Sequence, residues 1–149
     1  MHLETVRFQI RLYIARLDGT LMQRKNVAPR TSELGFKAFI VHLVLDSKVE
    51  QALALLAKEF NVTVPRIQVV LPRTHRGVYG CYTSRSQTIY VLSGDVLKDP
   101  FVILHEFYHH LRTSSVDKKH RGTEKYANVF AKEFIVTYRS LGSLQRSRQ

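Results

Sequence analysis

Two histidines and a glutamate at fixed spacing are the residues of this chain best suited to chemistry. Residues 105–109 are His-Glu-Phe-Tyr-His, which is the pattern H-E-x-x-H. In an α-helix of about 3.6 residues per turn, His105 and His109 lie one above the other, so both imidazoles can bind one metal ion. Glu106 flanks the same site and can take a proton from a zinc-activated water. The pattern therefore predicts a zinc hydrolase with one Zn²⁺ ion as its cofactor.

The residues around this pattern predict a buried helix at about 99–112. Asp99 can cap the helix through its carboxylate, and Pro100 suits the first helical position because no backbone N–H is needed there. An apolar stripe faces away from the histidine pair, as in a helix with one polar functional edge. The stripe consists of Leu104, Phe107, Tyr108 and Leu111. His110 points off the metal-binding face and is expected to be structural.

A catalytic zinc ion needs a third protein ligand from outside this helix. The candidates are Glu124, in the first turn of a predicted helix at 123–140, and His120, in the polar loop 113–122 before it. We favour Glu124 because a carboxylate is stabilised near a helix start and is held rigidly there. Asn128 follows one turn later and could hydrogen-bond to a liganding imidazole, which would fix the orientation of the ring.

Composition indicates one ordinary globular domain. The chain has 149 residues, of which 44% are hydrophobic and 23% charged. A chain of this length can bury a sizeable core without disulfides or structural metals. We expect a single domain at 1–141 and a basic, flexible tail at 142–149. Cys81 is the only cysteine, which excludes an internal disulfide and a cysteine-based zinc site.

Charge and hydropathy predict an intracellular, cytoplasmic protein and leave an acidic partner as one of two explanations of its charge. No apolar run is long enough to cross a bilayer, and charged residues interrupt the N-terminus, so neither a transmembrane segment nor a signal peptide is expected. The net charge of +11 favours nucleic acid or an acidic protein as a partner, although solubility alone would explain it equally well. No motif indicates which protein or peptide is the substrate, which partner the chain binds, or what its oligomeric state is.

Hydrophobic spacing predicts the remaining elements. The segment 3–17 fits a helix better than a strand, and the turn Asp18-Gly19 ends it. The polar segment 22–35 is predicted as a loop, and the apolar segment 36–45 as a buried strand or the start of a helix. A helix is predicted at 48–60, with a capping box formed by Ser47 and Glu50 and with Asn61 at its end. The β-rich segment 66–71 is predicted as a strand.

A hairpin is predicted from segments 77–83 and 87–92, which flank the polar turn Ser84-Arg85-Ser86. The glycines at 77 and 80 thin out the first strand and would let another backbone approach. At the edge of a sheet such a strand could pair with an extended peptide, although an ordinary edge strand is as consistent with the sequence.

The two motifs together resemble a known family. H-E-x-x-H at 105–109, followed by E-x-x-A-N-x-F-A at 124–131, is similar to the ImmA/IrrE-like metallopeptidases, which are gluzincin-type zincins with a glutamate as third ligand. The resemblance covers about residues 48–138. It implies an α+β, zincin-like fold, in which a small mixed or antiparallel sheet packs against the H-E-x-x-H helix and a C-terminal glutamate-bearing helix.

The resemblance also implies a zinc metalloendopeptidase that binds its substrate along an edge strand. That strand would be Val78, Tyr79, Gly80, Cys81 and Tyr82. Zinc would lower the pKa of its water, Glu106 would act as general base, and a nearby donor would stabilise the oxyanion. The candidate donors are Tyr79, Tyr82, His75 and Tyr126.

Two alternatives remain at the level of sequence. A SprT-like, DNA-associated protease would use a histidine as third ligand, and the basic charge and His120 favour it. A non-catalytic zinc-containing module that binds nucleic acid or protein would have no need of Glu106 as a general base.

Overall fold

The computed structural model describes residues 29–114 and 123–147. Within these ranges the chain forms a mixed α+β fold with four α-helices, a short 3-10 helix at Val96–Lys98 and a small mixed sheet. The helices are α1 (Pro29–Leu45), α2 (Val49–Glu59), α3 (Pro100–Thr113) and α4 (Thr123–Arg146), and the strands are β1 (Arg66–Gln68), β2 (Gly80–Thr83) and β3 (Thr88–Val91). No helix in these ranges is both long and apolar enough to cross a membrane.

Helix α1 corrects one prediction and decides another. The predicted loop at 22–35 is wrong from Pro29 onward, because the helix begins at that residue, and the segment 36–45 is helical rather than a strand. Proline is tolerated in the first turn, and one internal glycine costs only about 1 kcal/mol. Burial outweighs that cost, because Phe36, Ile40 and Val44 recur on one face and are buried in the core.

The predicted capping box is wrong because Ser47 ends the preceding helix instead of starting the next one. Ser47 has a φ of 61°, and the N–H of Lys48 donates to the Leu43 carbonyl at 2.8 Å. This is the Schellman arrangement that satisfies the last carbonyls of a helix. Helix α2 therefore begins after Lys48 without a side-chain cap, but it occupies the predicted segment 48–60.

Asn61 ends α2 as predicted. It has a φ of 53°, and the N–H of Val62 donates to the Ala57 carbonyl at 2.9 Å. Asparagine is one of the few residues that adopt this left-handed conformation readily.

The described sheet has the strand order β1-β3-β2, so β2 is at an edge. Strand β1 pairs with β3 in parallel and β2 pairs with β3 antiparallel. The predicted hairpin is confirmed, with Gln87 at a φ of 49° in the turn position where a glycine would be expected. The strand predicted at 66–71 is too long, since β1 ends at Gln68 and the next residues, Val69 and Val70, are exposed.

Helix α3 is confirmed almost as predicted. The Asp99 carboxylate accepts from the N–H of Phe101 at 2.9 Å, and Pro100 occupies the first helical position. The apolar stripe predicted for this helix is buried, with exposures of 0 to 6%. The helix thus presents its opposite edge to the surface, where the histidine pair lies.

Helix α4 is longer than predicted. It continues through Gly142 to Arg146, so the predicted flexible tail at 142–149 is helical as far as Arg146. Its buried face includes Ala127, Ala131 and Phe134, which pack into a core shared with α1, α2, α3 and β3. This packing anchors the first turns of α4 beside α3.

Several predictions lie outside the described residues. These are the helix at 3–17, the turn Asp18-Gly19, the first part of the loop 22–35, and the loop 113–122 from residue 115 onward, which includes His120.

Candidate metal centre

Helices α3 and α4 bring together two imidazoles and one carboxylate. The Nε2 atoms of His105 and His109 lie 3.1 Å from Oε2 and Oε1 of Glu124, respectively, and 3.2 Å from each other. One ligand atom from each residue lies within 4.8 Å of the others, an arrangement that could hold a metal ion. The structure therefore brings together the histidine pair and the favoured third residue from the sequence.

The separations of these atoms suit a small tetrahedral cation. With zinc bonds of about 2.0–2.1 Å, two ligand atoms at the corners of a tetrahedron lie about 3.3 Å apart. The two Nε2 atoms lie 3.2 Å apart, and each lies 3.1 Å from a different oxygen of the Glu124 carboxylate. Two nitrogens and a carboxylate are also the donor set that zinc accepts at catalytic sites.

Asn128 determines which nitrogen of His105 faces the cluster with a lone pair. His105 Nδ1 lies 2.9 Å from Asn128 Oδ1, and an amide oxygen can only accept, so Nδ1 carries the hydrogen and donates it. In the neutral ring Nε2 then presents a lone pair to the Glu124 carboxylate. Two acceptors at 3.1 Å repel each other unless a cation lies between them, which a metal ion would supply.

His109 is also held in the form that binds metals. Burial lowers the pKa of His109, and the charge of Arg112 or a proton on His105 lowers it further, whereas Glu124 raises it. A lowered pKa favours the neutral imidazole, which is the form that ligates a metal.

Glu106 is buried beside the cluster and has a strongly perturbed pKa. Glu106 is 7% exposed, and its pKa is raised from 4.5 to about 7. Burial is the largest cause, the negative charge of Glu124 adds to the rise, and a hydrogen bond from the Tyr82 backbone N–H opposes it. A carboxyl group that titrates near neutral pH can both accept and release a proton under ordinary conditions.

Strand β2 forms the wall opposite α3, and Gly80 is the point of closest approach. A Cβ atom placed on Gly80 would lie 2.7 Å from Val102 Cγ1 and 3.4 Å from Glu106 Cγ. The sequence predicted that another backbone would approach the glycines at 77 and 80, but helix side chains approach Gly80 instead, and a Cβ atom on Gly77 would meet nothing within 4 Å. Gly77 instead lies in the turn before the strand, with a φ of 84°.

The free edge of β2 faces this site. The Leu92 N–H donates to the Tyr79 carbonyl at 2.8 Å. Since hydrogen-bonded positions alternate along an antiparallel strand, the backbone groups that bond to β3 are those of Tyr79, Cys81 and Thr83. The backbone N–H and C=O groups of Gly80 and Tyr82 therefore point away from β3, toward the open side of the sheet. The Tyr82 N–H bonds to Glu106, so the edge can offer the N–H and C=O of Gly80 and the C=O of Tyr82 to an extended chain.

His110 connects α3 to β2 from within the core. It is fully buried; its Nε2 donates to the Thr63 carbonyl at 2.7 Å, and its Nδ1 accepts from the Tyr82 hydroxyl at 2.9 Å. Burial lowers the pKa of His110, which keeps the ring neutral. The structural role predicted for His110 agrees with these contacts, and the hydroxyl of Tyr82 is engaged with His110 and Thr113.

An open groove of about 930 Å³ runs along the candidate metal centre between β2 and α3. All five predicted edge-strand residues line it, as do His75 and Glu106. Tyr79 is 69% exposed, whereas Cys81 is buried and has a raised pKa, caused first by burial and then by the charge of Glu106. Tyr126 is half-buried on α4 and is absent from the described residues that line the groove.

Two contributors to the site were missed by the sequence reasoning. Arg112 lines the groove, and it could have been found from helical spacing, because it lies three residues after His109 and seven after His105. Thr63 supports His110 through its backbone carbonyl, which no side-chain pattern can indicate.

Comparisons with known proteins found no family model, no curated protein and no solved structure that matches this chain.

Proposed function

We propose that this protein is a zincin-like zinc metallopeptidase, in which His105, His109 and Glu124 hold the metal and Glu106 is the general base. The observation that carries the proposal is the buried Glu106 directly beside a two-histidine, one-carboxylate cluster. A structural zinc site is usually closed by four protein ligands and has no use for a general base. Three protein ligands and an open groove are what a catalytic site requires.

The chemistry divides between the metal and the chain. Bound zinc would supply a Lewis acid that polarises water and a carbonyl oxygen. Glu106 can accept the proton of the attacking water and pass it to the amine nitrogen that leaves the broken peptide bond, because its pKa is about 7. Tyr82 donates its backbone N–H to the Glu106 carboxylate and thereby orients it.

The groove supports a peptide as substrate rather than a small molecule. Its wall is the free edge of β2, where Gly80 presents an N–H and a C=O that an extended chain can bond as an added strand. The exposed Tyr79 and Val78 continue this wall at the surface. The main chain of a substrate would then lie parallel to β2, beside Glu106.

The proposal is tested by zinc content and peptide cleavage measured on the same samples. We expect about one zinc per wild-type chain and cleavage of peptides in an unbiased mixture. Glu106→Gln should keep zinc and lose cleavage, because an amide cannot accept the proton. Glu124→Ala should lose zinc and cleavage together.

Other results would contradict the proposal in distinguishable ways. Absence of zinc from wild-type protein supplied with it would exclude the metallopeptidase. Loss of zinc with His120→Ala but not with Glu124→Ala would replace the third ligand and favour the SprT-like alternative. Full cleavage by Glu106→Gln would remove Glu106 from the mechanism.

A further inference from the structure

An arginine lies in the groove on the same helical face as the proposed metal ligands. Arg112 is half-buried, lines the groove and follows His109 by three residues on α3. Residues three and seven positions apart share a face of an α-helix, so the Arg112 side chain projects on the side of His105 and His109. The guanidinium is therefore a part of the groove and not of the outer surface.

The guanidinium has hydrogen-bonding capacity that the described chain does not use. Its Nη1 atom is buried from solvent and has no hydrogen-bond partner, and none of the ion pairs between described residues includes Arg112. Leaving a buried charged donor unpaired is costly, so an unpaired group of this kind in a native protein calls for an explanation, and a bound ligand is one. Among the described residues, the two carboxylates that line this groove are otherwise engaged, since Glu124 contacts the histidines and Glu106 accepts from Tyr82.

The chemistry of arginine and the charge around the groove both favour a carboxylate as the ligand. A guanidinium presents a planar fork of donors that matches the two oxygens of a carboxylate. The loop that leads to β2 carries the exposed cations Arg73 and Arg76 on either side of His75, which itself lines the groove. The chain as a whole has a net charge of +11, which attracts anionic ligands.

We infer that Arg112 is a specificity-determining residue that binds a carboxylate of the peptide substrate, so that acidic peptides are preferred. This inference rests on the proposed function. The helix rises about 4.5 Å between His109 and Arg112, which corresponds to about one or two residues of an extended peptide. The carboxylate is either an Asp or Glu side chain within about one or two residues of the cleaved bond, or the C-terminus of a short substrate.

The inference is tested by peptide binding that does not depend on turnover. Zinc-loaded full-length Glu106→Gln protein is immobilised and mixed with pools of acetylated, amidated octapeptides that carry one fixed Glu or, in the matched pool, Gln. A third pool carries Gln and a free C-terminal carboxylate. Mass spectrometry quantifies the peptides retained. We expect the Glu pool or the free-carboxylate pool to bind about tenfold to a hundredfold more tightly than the Gln amide pool, and the pool that does so identifies the source of the carboxylate.

Variants assign that preference to Arg112. Arg112→Met, made in the Glu106→Gln background, should abolish the preference, whereas Arg112→Lys should keep a weaker one because it retains the charge but not the fork. Arg66→Met is the matched control, since it removes one exposed arginine from β1, at the opposite edge of the sheet from β2, and should change nothing. The comparison of peptide pools uses Glu106→Gln protein that keeps Arg112, so its result does not depend on whether any Arg112 variant folds.

Three outcomes would overturn the inference. Equal retention of all pools would show that the groove does not select carboxylates, and a preference that survives in Arg112→Met would assign it to another residue. If instead a single-stranded oligodeoxynucleotide binds and only that binding is lost in Arg112→Met, the residue is a phosphate contact. Wild-type protein that cleaves nothing would contradict the proposed function, while the retention experiment would still decide the role of Arg112.

Discussion

Gly80→Ala is the substitution whose effect is most directly determined by the structure. The new methyl carbon would lie 2.7 Å from Val102 Cγ1, whereas carbon atoms in contact are normally about 3.5–4.0 Å apart. Strand β2 and helix α3 must therefore separate locally by about 1 Å, and such overpacking costs about 1–3 kcal/mol of unfolding free energy. Since the same atom would lie 3.4 Å from Glu106 Cγ, the proposed general base moves with the wall. Peptide cleavage should fall more than zinc affinity does.

Urea unfolding of the zinc-free protein measures the stability change, and cleavage of a reporter peptide measures the effect on the site. Gly94→Ala is the control, because a Cβ atom there meets nothing within 4 Å. The double variant Gly80→Ala/Val102→Ala removes the clashing Cγ1 atom. We expect a coupling of about 1–3 kcal/mol between the two substitutions, with partial recovery of cleavage.

The reasoning about this wall is refuted by either of two results. Gly80→Ala could be as stable as Gly94→Ala, or the two substitutions at Gly80 and Val102 could be additive. In both cases β2 and α3 would not be in the close contact from which the role of Gly80 was derived.

Three further predictions concern the groups that hold the site. Asn128→Ala should weaken zinc binding by about tenfold to a hundredfold, measured by competition with a chelator, because His105 Nδ1 loses its acceptor; unchanged affinity would exclude this role. Tyr82→Phe should lower the unfolding free energy by about 1–3 kcal/mol in urea, because Nδ1 of the buried His110 loses its donor; a variant as stable as wild type would show that this hydrogen bond contributes nothing. In the zinc-free protein the pKa of Glu106 is raised from 4.5 to about 7, so the folded state binds more protons within that window and stability falls as pH rises through it. The full effect of this one group is about 3 kcal/mol, and Glu106→Gln should remove it; equal pH profiles for both proteins would contradict the shift.

The features that the sequence predicted best are local in origin. The spacing of His105 and His109 places them on one face of any helix, and the capping of α3 by Asp99 and Pro100 requires only adjacent residues. The segment 48–60 and the hairpin were likewise found from periodicity and turn chemistry. Each of these depends on interactions within a few residues of the chain.

In three places a local signal in the sequence was misleading. Pro29 and Gly35 suggested a loop, but the buried face of α1 outweighs the cost of one glycine in a helix. Ser47 has the side chain of an N-cap, yet its φ of 61° shows that it closes the helix before it. The polar residues after Gly142 remain helical as an extension of α4.

By itself, the sequence determined which residues could perform chemistry and on which elements they lie. It named His105, His109 and Glu106 from spacing, and Glu124 from its place at a helix start, since helical geometry is a property of the backbone alone. Only the tertiary structure decided that Glu124 meets both imidazoles at 3.1 Å, that burial raises the pKa of Glu106, and that Arg112 lines the groove. Distances between elements and the loss of solvent around a charge arise from packing, which joins residues far apart in the chain and leaves no periodic trace in it.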